Sequence, residues 1–127
     1  MLQKSKKLLS LSFYLLALLS FAVKAQSANE LLHQSHDPIA GNPKGNVTVV
    51  EFFDYQCSHC MSMAPVIAAI IQANPNVRVV FKDLPIRGAM SEFAARAALA
   101  ANKQGKYYSL NHALLSANQP LTEDFVL

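Results

Sequence analysis

The sequence holds two cysteines, and they stand two residues apart in Cys57-Ser58-His59-Cys60. A C-x-x-C pair between a strand and a helix has the setting of a redox motif, in which one sulfur exchanges with a substrate and the other closes the cycle. With a helix starting at Cys57, unpaired N–H groups and the positive dipole end favour a thiolate there, and a protonated His59 adds to the effect. Such cysteines titrate at roughly 3.5 to 7.5, against about 8.5 for a free thiol. A stabilised thiolate favours the reduced pair and makes the disulfide a stronger oxidant. Cys60, further into the helix, would then resolve the mixed disulfide.

Other uses of the pair are open at this point. Haem attachment wants His directly after the second cysteine, where Met61 stands, and a structural zinc site wants four ligands, where only Cys57, Cys60 and His59 cluster. A purely structural disulfide would close a very small loop and restrict the unfolded chain little. His33, His36 and His112 have no partner at metal-ligand spacing and read as solvated surface.

Glu51, six residues before Cys57, sits in an otherwise apolar strand, where a carboxylate is costly unless paired or protonated. A raised pKa would suit it to proton transfer with Cys60. The competing reading is an ion pair with Lys82 on the neighbouring strand. Met61, Met63, Phe52 and Phe53 could line an apolar groove for unfolded substrate, with core packing the simpler role for the two phenylalanines.

The elements that must hold these residues follow from periodicity. Residues 47–53 are β-branched, aromatic and apolar on both alternating sets, as in a central strand covered on two faces. From Cys57 to about Ala73 apolar residues recur at three- and four-residue steps, with Pro65 inside the helix and Asn74-Pro75 ending it. Residues 77–82 form a second buried strand, which completes a βαβ unit. Helices are expected over 91–103 and 107–117, divided at Gly105, and a last one capped by Thr122. Residues 26–46, with two prolines and two glycines, form a lead-in arm with a short helix around Glu30 to Gln34.

Residues 1–25 read as a signal peptide: Lys4, Lys6 and Lys7, then an apolar run to Val23, then Ala25 as the cleavage site. Its Ser10, Ser12, Tyr14 and Ser20, and its length below the ~20 apolar residues of a spanning helix, argue against a lasting anchor. Four of the 11 basic residues leave with it, so seven basic face eight acidic residues and the formal net charge of +3 becomes −1. No basic patch remains, and no nucleic-acid partner is expected.

The segment from Glu51 through Phe53-Asp54-Tyr55-Gln56 to Cys60 resembles the active site of DsbA-type thiol:disulfide oxidoreductases, and Met63-Ala64-Pro65 resembles the helix that follows it. Residues 79–86, 94–101 and 104–107 extend the resemblance into a second strand and an inserted helical domain. It implies an α/β fold: a thioredoxin-like βαβ half over 47–85, then a helical insertion over 86–127 that stops before the C-terminal ββα half. It implies a periplasmic oxidant of exported proteins, reoxidised by a membrane protein and needing no cofactor beyond its own disulfide. Cys57 maps to the attacking cysteine, Cys60 to the resolving one, Glu51 to the buried acid, and Ser58-His59 to the dipeptide that tunes redox poise. A disulfide isomerase or reductase of the same fold, and a non-enzymatic metal-binding or inactive fragment, are the alternatives.

Overall fold

The computed structural model describes residues 28–127, so the expected signal peptide over 1–25 lies outside the described residues. The chain runs through α1 (Ala28–Leu32), β1 (Ile39–Gly41), β2 (Val47–Phe53), α2 (Ser58–Ala73), β3 (Val77–Asp83), α3 (Ala89–Asn102), α4 (Tyr107–Leu115) and α5 (Glu123–Val126). β2 and β3 are parallel, from Val47 opposite Val77 to Phe53 opposite Asp83, with α2 as the crossover. That is the βαβ unit expected from the hydrophobic periods.

The arm is more ordered than its prolines and glycines suggested. Ile39–Gly41 pairs antiparallel with β3, and the Phe81 N–H donates to the Pro38 carbonyl at 3.0 Å. Three residues are too few to show a period of two. Gly41 has φ +79°, and a Cβ there would lie 2.5 Å from the Val77 carbonyl oxygen, so only glycine lets the arm leave the sheet at this point.

The strand order is β1-β3-β2, which makes β3 the central strand and corrects the expectation that β2 is central. Val79 and Val80 are wholly buried, whereas Val47 and Phe52 on β2 are more than half exposed. Among the described residues β2 has a strand partner on one side only. Apolar side chains report what covers a strand's faces and carry no information about its hydrogen-bonded edges.

One face of the sheet packs under the helices. Phe53 meets Tyr55 edge-on with ring centroids 5.0 Å apart, and Phe81 meets Tyr107 at 5.6 Å. Ala94, Ala95 and Ala98 on α3 and Leu114 and Leu115 on α4 close this core. Small alanines let α3 approach closely, and that burial of apolar surface is the main stabilising term. Asn74 ends α2, and Thr122 caps α5 by accepting from the Phe125 N–H at 3.3 Å, as the sequence suggested. No helix among the described residues is long and apolar enough to cross a membrane.

Candidate active site

The turn between β2 and α2 sets the site. Cys57 is the residue before the first helical turn, with extended backbone (φ −89°, ψ 113°), and no side chain caps the helix. The free N–H groups of that first turn are therefore available to the Cys57 sulfur. Both cysteines are free thiols. The Cys60 thiol donates to Cys57 and holds it below its ordinary value; the backbone N–H groups of Cys60 and His59 and the Arg87 charge act in the same direction, against the cost of burial. Burial pushes the Cys60 thiol up, and the Cys57 and Glu51 charges add to this, while a hydrogen bond with the Asp54 backbone opposes it. Two chemically identical groups thus differ, the outer one ionising more readily than the inner.

Glu51, His59 and Cys60 lie together on the wall of one cavity of about 350 Å³, with Val49, Phe52, Met63 and Ile67. Burial raises the Glu51 carboxyl above its ordinary value. Ser58 and His59 are exposed in the first turn of α2. Of the four groove candidates, Phe52 and Met63 reach the cavity. Phe53 packs in the core and Met61 is half-buried against it, so Phe52 departs from the core role expected of it.

The ion pair considered between Glu51 and Lys82 does not form. Glu51 stands opposite Phe81, and Phe52 opposite Lys82, so alternation puts Lys82 on the other face of the sheet. There its Nζ lies 2.6 Å from Asp37 Oδ2 in the arm. Nearby, the buried Arg78 donates to the Leu32 carbonyl at 2.6 Å and lies 3.1 Å from Nδ1 of His33, which like His36 and His112 is exposed, as the surface reading expected.

Sequence reasoning passed over Asp54. Its carboxylate accepts from the Gln56 N–H at 2.7 Å, the Ser91 hydroxyl at 2.7 Å, and the N–H groups of Ile86 and Arg87 at 2.8 and 3.0 Å. Burial alone would raise this carboxyl, but the four donors outweigh it and hold the group below its ordinary value. Its carbonyl also accepts from the Cys57 N–H at 3.1 Å, so one residue fixes the active-site turn from both ends. The available signal was an Asp three residues before the helix cap, in the turn that leads into it, the pattern of a side chain that accepts from the N–H two residues on. Its distant donors had none.

A second buried network joins sheet to helices. The Tyr107 hydroxyl donates to Asp83 Oδ2 at 2.6 Å, and Asn111 Nδ2 donates to the Tyr55 hydroxyl at 3.3 Å. Asp83 Oδ1 is buried with no hydrogen-bond partner, and burial raises the Asp83 carboxyl. Among the described residues no three His, Cys, Asp or Glu side chains converge as a metal-ligand set.

A family model described as thioredoxin matches residues 33–124. Among solved structures, a thioredoxin-like oxidoreductase from Silicibacter pomeroyi is 44% identical with a TM-score of 0.75, over 79% of this chain and 58% of that one. A periplasmic thioredoxin-like protein from Salmonella enterica serovar Typhimurium is 28% identical, TM-score 0.76, over 82% and 61%. The thiol-disulfide exchange protein alpha-DsbA2 from Wolbachia pipientis is 30% identical, TM-score 0.74, over 80% and 55%. This chain therefore spans somewhat more than half the length of these structures. A Na(+)/H(+) antiporter, NhaA 1 of Salinispora arenicola, is 34% identical over 85 residues, which are 65% of this chain but 13% of the antiporter. The likeness to DsbA-type proteins read from residues 51–60 is borne out, and with a family model matched over most of its length the chain belongs to the thioredoxin family.

Proposed function

We propose that the chain is a thiol:disulfide oxidoreductase acting on exported proteins in the periplasm, with Cys57 as the exchanging sulfur and Cys60 as the resolving one. The observation that carries this reading is the split between the two thiols, with Cys57 lowered at an uncapped helix start and Cys60 raised by burial behind it. In the oxidising direction a substrate thiolate attacks Cys57 of the disulfide form, and Cys60 leaves as a thiolate that takes up a proton. A second substrate thiolate then attacks the mixed disulfide and Cys57 departs. The substrate loses two electrons and the pair gains them, so reoxidation needs an external oxidant, for which a membrane-bound partner is the expected source. The raised Glu51 carboxyl, on the same cavity wall as Cys60, is placed to exchange that proton.

The test is exchange between the disulfide form and a reduced dithiol peptide. Cys60→Ala, mixed instead with the oxidised peptide, should accumulate a mixed disulfide as the Cys57 thiolate attacks and the other peptide sulfur leaves, because no second protein thiol releases it, and Cys57→Ala should abolish turnover. Undiminished turnover in Cys57→Ala would refute the assignment.

A further inference from the structure

The loop before α3 is held unusually firmly for a surface segment, and it is held by the active-site turn. Asp54 Oδ2 accepts from the N–H groups of both Ile86 and Arg87, and Gln56 Nε2 donates to the Arg87 carbonyl at 3.2 Å and to the Ser91 hydroxyl at 2.9 Å. The backbone of Arg87 is thus gripped on both sides by residues one and three positions before Cys57. Gly88, at φ +100°, then turns the chain into α3. The Arg87 side chain is exposed, and among the described residues its guanidinium forms no ion pair.

We propose that Asp54 and Gln56 exist to seat Arg87 as a fixed positive charge beside Cys57, making Arg87 a positioning residue that sets how readily the exchanging sulfur becomes a thiolate. This rests on the redox reading of the pair. A lysine or arginine anchored by its backbone next to a thiolate acts without a direct hydrogen bond, and because both groups are open to solvent here the effect is small and weakens further with salt. The Arg87 charge already counts among the influences that lower Cys57. The other groups bearing on the sulfur are the Cys60 thiol and the backbone N–H groups of Cys60 and His59 from α2, the His59 imidazole two residues on, and, through Cys60, Glu51 from β2. The Asp54 carboxylate is occupied by its four donors.

The test is the pH profile of iodoacetamide alkylation at Cys57 in the reduced chain, located by peptide mass spectrometry. Arg87→Ala should raise the midpoint by roughly half a pH unit, about a threefold loss of thiolate below it. Arg87→Lys should restore the profile, and Arg96→Ala, an exposed arginine on α3, should leave it unmoved. Gln56→Ala, which frees the Arg87 carbonyl without changing any charge, should shift it in the direction of Arg87→Ala by a smaller amount. An unmoved midpoint in Arg87→Ala overturns the proposal, as do equal shifts in Arg87→Ala and Arg96→Ala, which would mean that only net charge counts. Because alkylation needs no substrate, this outcome is separate from a failure of disulfide exchange, which would sink the redox reading alone.

Discussion

Tyr107→Phe removes one oxygen atom from the buried network between β3 and α4, and its cost depends on pH. The Tyr107 hydroxyl donates to Asp83 Oδ2 at 2.6 Å, while Oδ1 of the same carboxyl is buried without a partner. Losing a hydrogen bond to a charged group costs about 1.5–3 kcal/mol, and a buried acceptor stripped of its donor lies toward the upper end. Burial raises the folded-state pKa of Asp83, so its contribution to stability is fully present below the ordinary carboxylate range and is lost as pH rises through the folded value. Tyr107 favours the charged form, so its removal raises that pKa further and the added loss grows with pH. Urea unfolding of both chains at pH 7.5 and at pH 4 measures the difference, since ΔG falls linearly with denaturant. The variant should lose about 2 kcal/mol at the higher pH and distinctly less at the lower. An equal loss at both values would show that Asp83 does not ionise in this network, and the argument from its burial would fall.

Three other perturbations probe different parts of the molecule. Glu51→Gln removes the charge that opposes ionisation of Cys60, so Cys60 should alkylate at lower pH; because burial raises Glu51, the variant should also gain stability at neutral pH and none in acid, as seen by denaturation at both. Asp37→Ala leaves Lys82, only 15% exposed, without its partner and should cost roughly 2–4 kcal/mol in chemical unfolding, with the double variant Asp37→Ala/Lys82→Met recovering much of it. Gly41→Ala forces a Cβ to 2.5 Å from the Val77 carbonyl oxygen at a positive φ, and a loss of about 2 kcal/mol or more should appear as a lowered thermal midpoint.

What the sequence revealed was what is local. The C-x-x-C spacing, the apolar repeat of α2 and the β-branched runs of β2 and β3 each fit within one element, and the βαβ unit follows from them. Asp54 is the instructive failure: half of its role lies in its own turn, where Gln56 donates, and half with donors 32 to 37 residues away. Lys82 shows the same limit. Its charge called for a partner, and the nearest carboxylate by strand adjacency was Glu51. The pleat puts that residue on the opposite face, and the true partner, 45 residues back, sits in an arm that showed no regular pattern. Arg87 gave no signal at all, because its importance comes from the clamp on its backbone.

The outer edge of β2 has a consequence for how these molecules behave in company. Val47-Thr48-Val49-Val50-Glu51-Phe52-Phe53 is seven residues of strong strand formers without proline, and among the described residues one whole edge of it has unpaired N–H and C=O groups. Such an edge is a template on which a further strand can pair, and the single charge in the segment works as a gatekeeper against pairing with the wrong one. Glu51 is then held in two ways at once: neutralising it eases the burial of its own chain while removing the only electrostatic brake on colloidal self-assembly along this strand.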